Sequence, residues 1–345
     1  MNMTEENPKK PTIGYLDLDA LLFAAASAGE QVWYKVMLGD TEVGRFDSAK
    51  KHKQWLEDSQ DFGDVLFGLP DDELEKVTRE VEFEIKGVEE CYKVFDSELK
   101  KWLKMAGVSQ WKGYVSPKSG GKTFRSKIAT IHGYKSNRSG MRKPHHLEAV
   151  RKYALTYPEI TKAVASVEVD DYVVLMSERK GQDAVCIGVD KDARQVSGTW
   201  YLITGEMEKP EYSPKNIVGV LGRSGKKIIG HGHLFLAWQL LAGDKQVDNI
   251  EGVQGCGAVT AYDILKDYSG EPLENLESVI HTVCDKYKER YGNAHKYTHA
   301  LSGEVVEVSW KEIMWENLRL LWMLRDKNDK AEFIGRFIDT YEETK

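Results

Sequence analysis

Cysteine is scarce in this chain of 345 residues. The four, Cys91, Cys186, Cys256 and Cys284, stand too far apart in sequence for a zinc motif and form no disulfide framework. Such usage fits a reducing cytoplasm. Long hydrophobic runs are missing as well. The stretch Leu21–Ala26 could pass for the apolar centre of a signal peptide, but Asp17 and Asp19 directly precede it. It is also too short to span a bilayer, so it reads as the helix after a first strand, and no membrane partner is expected. Net positive charge is absent: the formal charge is −7, which for the molecule as a whole argues against a polyanionic partner. Internal repeats and low-complexity tracts are absent. The 41% hydrophobic and 10% aromatic content excludes a disordered chain, and the length allows one large domain or two.

The positive charge that exists is concentrated. Residues 118–152 carry ten Lys or Arg and one acid, Glu148, a local balance of +9 that leaves −16 for the rest. Binding to a polyanion follows the local patch, not the total. Within the segment, Thr123-Phe124-Arg125 and Tyr134-Lys135-Ser136-Asn137-Arg138 set cations beside aromatics. Arg grips phosphate bidentately, Lys supplies a point charge and Tyr stacks on a base. A solvated, mobile basic loop is the plain alternative. Residues 57–98 are the opposite, with fifteen acids against four bases. They read as a solvated helical insertion, with a partner surface or a fence against DNA as the functional reading.

Four short acidic clusters carry the most information: Asp17-Leu18-Asp19, Glu168-Val169-Asp170-Asp171, Asp190-Lys191-Asp192, and Asp244 with Asp248-Asn249. Most follow an apolar run of strand composition. Asp17 and Asp19, if extended, leave one face of a strand; Glu168 with Asp170 and Asp190 with Asp192 repeat the spacing. Asp170 and Asp171 stand at a strand-to-helix junction, where a helix N-terminus tolerates anions. A single pair of this kind is ordinarily loop solvation or capping. Three on consecutive strand ends point to the carboxyl edge of an open sheet, where sites form. Converging carboxylates repel one another unless they hold cations, and hard divalent cations prefer oxygen. Two metals about 4 Å apart can activate a water and stabilise both oxygens of an in-line displacement at phosphorus. An acidic pocket beside a basic segment suggests phosphodiester chemistry.

The elements fit that arrangement. Ile13–Leu18, Trp111–Val115, Val164–Val169, Ala184–Val189 and Thr199–Ile203 read as strands. Ala20–Ala28, Leu147–Leu155, Tyr172–Arg179, Leu234–Leu241, Ala258–Leu265 and Ile313–Leu324 read as helices. Residues 30–48 suggest a hairpin around Gly39-Asp40, and 71–106 show apolar positions at helical spacing from Val88 to Leu103, ending at Gly107. Alternation of strand and helix gives an α/β class with a twisted, mostly parallel central sheet flanked by helices. Residues 1–11 read as a flexible tail, 12–215 as the α/β domain with the acidic insertion and the basic segment, and 216–345 as a mainly helical region. Between two helices, Gly243–Gly257 exposes amides and carbonyls that can bind a DNA phosphate or a monovalent cation. A plain helix–turn–helix core is the alternative.

In order and together, these motifs resemble the 5′-nuclease family of flap endonucleases and 5′–3′ exonucleases, and most closely the exonucleases of short-tailed phages. The resemblance runs from Gly14 to about Leu265. It implies a PIN-like sheet, an arch formed by residues 118–152, and a helix–three-turn–helix DNA-binding element. It implies that Asp17, Glu168, Asp170, Asp171, Asp190, Asp192, Asp244 and Asp248 are metal-pocket acids for two Mg²⁺ or Mn²⁺ ions. It implies that Lys135 and Arg138 contact the scissile phosphate, with Arg125 nearby, and that the Gly252–Gly257 hairpin holds duplex phosphates, usually with K⁺. Tyr134, Arg142, Lys143, Gly252, Gly255 and Gly257 are the expected DNA contacts. The sequence departs from the family twice. Ser116 stands where the family has an acid, and Asp19 is expected to supply the missing carboxylate. Asp244 and Asp248 are four apart instead of three.

The expected function is a metal-dependent 5′–3′ exonuclease with flap and RNA-primer removal activity, in a host cytoplasm if phage-encoded. Its partners would be duplex ends, nicks, 5′ flaps and RNA–DNA hybrids. The alternatives are a non-catalytic structure-specific DNA-binding protein, suggested by Ser116, and a PIN-like ribonuclease, against which the glycine-rich hairpin counts.

Overall fold

A computed structural model describes residues 11–62, 76–117, 123–138, 140–164, 167–203, 209–326 and 328–343. The tail expected at 1–11, apart from its last residue, lies outside them, as do parts of the acidic insertion (63–75) and of the arch (118–122 and 139). In chain order the strands are β1 (Ile13–Asp17), β2 (Glu30–Leu38), β3 (Thr41–Phe46), β4 (Val77–Ile85), β5 (Gln110–Val115), β6 (Ile160–Lys162), β7 (Ala184–Gly188), β8 (Gly198–Leu202), β9 (Glu211–Ser213), β10 (Val220–Ser224), β11 (Lys227–His231), β12 (His295–Thr298) and β13 (Val305–Val308). The helices are α1 (Asp19–Ser27), α2 (Ala49–Phe62), α3 (Val88–Ala106), α4 (Phe124–Ile128), α5 (Leu147–Ala154), α6 (Val169–Lys180), α7 (Gly232–Ala242), α8 (Ala258–Leu265), α9 (Leu276–Tyr291), α10 (Trp310–Leu321) and α11 (Glu332–Asp339).

These elements form two compact units that do not follow chain order. One comprises the chain up to Ala20 with Lys100–Met141 and Tyr157–Lys345; the other comprises Leu21–Leu99 and Arg142–Thr156. In the first, six strands form one sheet in the order β6-β5-β1-β7-β8-β9. All neighbours are parallel except β9, which runs antiparallel to β8. The central strand β7 is buried throughout, as are Tyr15 and Leu16 of β1. Burial on both faces is what a parallel sheet covered by helices requires. The strands end in register where the acids begin: Asp17 is opposite Tyr114, and Gly188 precedes Asp190 by two residues.

A second core lies around α7. Leu234, Phe235, Leu236, Ala237, Leu240 and Leu241 are all buried, so this helix is apolar all round and serves as the centre of the C-terminal helices. Ser309 and Glu312 close a capping box that starts α10. No helix among the described residues is long and apolar enough to cross a membrane.

The other unit holds a three-stranded antiparallel sheet, β3-β2-β4. Its β2–β3 hairpin turns at Gly39, whose φ of +60° favours glycine, where the Gly39-Asp40 pair predicts it. Strand β4 corrects the helical reading of the acidic insertion. Glu80, Glu82 and Glu84 alternate with Val81, Phe83 and Ile85, a period of two that the density of acid obscures. The helical pattern holds from Val88 to Ala106 and stops at Gly107, whose N–H donates to the Leu103 carbonyl. A second correction concerns Val164–Val169. The edge strand is Ile160–Lys162, and Val169 opens α6, because two acids in its first turn favour a helix start.

Candidate active site

Three of the acidic clusters meet at the carboxyl edge of the sheet. A cavity of about 340 Å³ is lined by Asp17, Asp19, Glu168, Asp170 and Asp190 with Ser116, Thr123, Lys135 and Arg138 among its other walls. The backbone presents these carboxylates in a repeated way. Asp17 Oδ1 accepts from the Asp19 N–H at 2.9 Å, Asp190 Oδ1 from the Asp192 N–H at 2.8 Å, and Asp170 Oδ1 from the Asp171 N–H at 2.7 Å. Each bond fixes one oxygen at the start of a helical turn. Asp17 and Asp19 therefore converge through a strand-to-helix turn, not through one face of an extended strand as the spacing suggests.

Asp19, expected to supply the carboxylate absent at Ser116, is held against that residue. Its carboxylate accepts from the Ser116 backbone N–H at 2.9 Å and from the Ser116 hydroxyl. Asp19→Asn is expected to lower Mg²⁺-dependent cleavage about as much as Asp17→Asn, and adding Ser116→Asp to Asp19→Asn is expected to recover it. Full cleavage by Asp19→Asn beside an inactive Asp17→Asn removes the idea.

The charges are strongly unbalanced. Burial, then the nearby Asp19, pushes the Asp17 carboxyl up to about 7. Burial and the neighbouring Glu168, Asp171 and Asp190 push Asp170 well above the usual carboxylate range. Glu168 goes the other way: burial raises it, but Arg125 and Lys135 outweigh burial and hold it low. Lys135 Nζ lies 2.8 Å from Glu168 and 3.6 Å from Asp248, and these carboxylates outweigh its own burial and raise it.

The donor set is hard oxygen and fits a divalent cation. Among the described residues, no three His, Cys, Asp or Glu side chains form a ready metal-binding group. Mg²⁺ usually keeps several waters and takes only one or two carboxylates directly, so the cavity and its acids fit an aquated ion. Asp17 gives a test with a defined sign. Its folded pKa lies above the ordinary 3.8, so protonation stabilises the fold fully below 3.8, and that contribution is lost as pH rises through about 7. In EDTA the melting temperature should fall across that window, and Mg²⁺ should raise it more at pH 8 than at pH 5.5. Equal shifts at both pH values sink the assignment.

Other expected site residues stand around this cavity or away from it. Asp192 is buried and accepts from Gln239 Nε2 at 2.7 Å; burial and Asp190 raise it. Asp244 binds Lys191 Nζ at 2.7 Å. Asp248 takes Arg138 at 3.3 Å, and the Tyr134 hydroxyl lies 3.1 Å from both Asp248 and Glu168. Tyr134 therefore braces two acids, which differs from the expected stacking on a base. The four-residue spacing of Asp244 and Asp248 is a helical-type turn, with the Asp248 N–H donating to the Asp244 carbonyl at 3.1 Å.

Arg125 and Asp171 lie outside the cavity lining. They are 2% and 0% exposed and form a buried bidentate pair. Arg125 also donates to the Leu320 and Trp322 carbonyls, and Asp171 accepts from the Leu324 N–H. Four of the five guanidinium N–H groups are thus spent on protein, and the fifth faces Glu168 at 3.8 Å. The pair pins α4 and α6 to the end of α10 and is not arranged to grip a phosphate.

Arg142, in the other unit, binds Glu30 through both Nη atoms at 2.6 and 2.9 Å and covers the Phe83 ring. Lys143 is exposed. In the glycine-rich hairpin, Gly252 is buried against Gly243, and a Cβ there would come within 2.4 Å of the Gly243 nitrogen. Gly255 and Gly257 are exposed with open space around them. Gly257 begins α8 with no side-chain cap. Thr123, whose hydroxyl donates to Glu168 at 3.0 Å, and Asn249 are site residues that charge patterns miss. Only their places beside Phe124-Arg125 and Asp248 signal them in the sequence.

No family model matches the chain. A protein of Aquifex aeolicus (strain VF5) described as a 5′-3′ exonuclease is 27% identical over 144 residues, 41% of this chain and 45% of that protein. The match thus spans less than half the length of that relative. Among solved structures, the bacteriophage T5 5′-exonuclease with bound divalent metal ions (zinc) has a TM-score of 0.43 at 16% identity, covering 73% of this chain and 90% of that one. A T5 flap endonuclease in a pseudo-enzyme-product complex with DNA and metal ions has a TM-score of 0.41 at 15% identity, covering 73% and 91%. The ordered acidic and basic motifs and the sequence relative agree: the chain is similar to the 5′-nuclease family.

Proposed function

We propose that the protein is a metal-dependent 5′–3′ exonuclease with flap and RNA-primer removal activity, acting on duplex ends, nicks and branched DNA to give 5′-phosphate products. One observation carries the reading: five carboxylates from three segment ends line one cavity together with Lys135 and Arg138. Asp17, Asp19, Glu168, Asp170 and Asp190 would hold the cations, with Asp171, Asp192, Asp244 and Asp248 supporting them from outside the lining. Two Mg²⁺ or Mn²⁺ ions bound there would supply water activation and neutralise charge at the scissile phosphate. Lys135 and Arg138 line the same cavity and would stabilise charge that develops on the phosphoryl oxygens. The exposed amides at Gly255, Gly257 and the first turn of α8 suit a duplex phosphate, with K⁺ at the same hairpin. Lys143 adds an exposed cation.

Cleavage of 5′-labelled nicked and flapped duplexes in Mg²⁺, Mn²⁺ or EDTA tests this. Products bearing 5′-phosphate are expected with either metal and none in EDTA. Branched-DNA binding without cleavage would favour a non-catalytic protein, and preference for single-stranded RNA a PIN-like ribonuclease.

A further inference from the structure

The segment bearing Lys135 and Arg138 is fastened to the loop that bears Asp244 and Asp248 by two asparagines acting in opposite directions. Asn137 Nδ2, from the first segment, donates to the Gln246 carbonyl at 2.7 Å and the Lys245 carbonyl at 3.3 Å. Asn249 Nδ2, from the second, donates to the Gly133 carbonyl and the Ser136 hydroxyl, each at 3.0 Å. Between these fastenings the Lys135 N–H donates to the Asp248 carbonyl at 3.0 Å, and Arg138 Nε donates to the Val247 carbonyl at 3.1 Å.

The backbone explains why such fastening is needed. Lys135 has φ of +54° and Asn249 φ of +60°. A left-handed conformation is costly for a residue such as Lys and persists only when its surroundings impose it. Asn tolerates it more readily. The Asn249 carboxamide grips Gly133 and Ser136, the residues on either side of Tyr134-Lys135, and so holds the strained residue from both flanks. Released, Lys135 would relax to negative φ and its ammonium group would leave the cavity wall.

We propose that Asn249 is a positioning residue for Lys135, acting on the reaction only through the placement of that ammonium group; the inference rests on the nuclease reading above. Asn249→Gly is the clean variant, because glycine keeps the left-handed backbone and removes only the carboxamide. In single-turnover cleavage of a nicked duplex with Mg²⁺, it should lower the rate at saturating enzyme about 10–100-fold, the scale of a displacement of about 1 Å. The Kd for the same duplex in Ca²⁺ should stay within twofold. In a Lys135→Ala background, Asn249→Gly should cost nothing further, since the group it positions is gone. A rate loss that multiplies with that of Lys135→Ala, or a weaker Kd with an unchanged rate, overturns the proposal. If wild type does not cleave at all, the nuclease reading fails. If Lys135→Ala is slow but Asn249→Gly is as fast as wild type, only the present inference fails.

Discussion

Asp170→Asn is expected to reduce Mg²⁺-dependent cleavage of a nicked duplex by about 10³-fold while leaving the fold as stable as wild type or more so. Asp170 stands in the first turn of α6, and one of its oxygens accepts the Asp171 N–H. Asn can keep that bond through its carbonyl oxygen, so geometry survives and only the charge is lost. The charge is what the proposed chemistry uses: a bound cation supplies several kcal/mol of transition-state stabilisation, and each 1.36 kcal/mol is about tenfold in rate. The same charge is a burden in the metal-free protein, because burial and three neighbouring acids raise the Asp170 carboxyl. Removing it relieves repulsion, a trade of stability for function found at many active sites. Cleavage rates with and without Mg²⁺ and a thermal melt in EDTA decide. Undiminished cleavage removes the central claim, and a large fall in melting temperature shows that Asp170 serves the fold instead.

Arg125→Ala should show the reverse pattern, a large loss of stability. It leaves Asp171 charged, buried and unpaired, which costs about 3–5 kcal/mol. At about 1.4 °C per kcal/mol for a chain of this length, the melting temperature should drop by roughly 4–7 °C. Replacing both partners, Arg125→Met with Asp171→Leu, should recover only the part owed to the unpaired charge, because the Leu320 and Trp322 carbonyls and the Leu324 N–H still lose their partners. Were Arg125 a phosphate contact, Arg125→Ala would abolish cleavage without moving the melt. A melting temperature within 2 °C of wild type rules out the buried-pin role.

These two residues mark the limit of reading charge from sequence. Arg125 follows Thr123-Phe124 in a basic segment, and Asp171 follows Asp170 at a helix start, so each looks as functional as its neighbour. Successive helical residues point about 100° apart. Once α6 starts at Val169, Asp170 lines the cavity and Asp171 turns into the core. Arg142 likewise stands in the basic segment, while in space it meets Glu30 and the Phe83 ring.

The sequence by itself determined the α/β class, the parallel strands at the sheet centre, the hairpin at Gly39, and the placing of Asp17 and Asp190 beside strand ends. Those follow from local rules: apolar runs bury, acids start helices, glycine takes the left-handed turn. Tertiary structure alone decided that Asp19 reaches Ser116, that Arg125 is a pin, that Tyr134 braces two acids, and that Asn137 and Asn249 fasten the cationic segment. The residues that make these contacts are between 34 and 197 positions apart in sequence. No local pattern encodes a contact across that distance; it exists only when the sheet order brings β1, β5 and β7 side by side and the loop from Asp244 is laid against the basic segment.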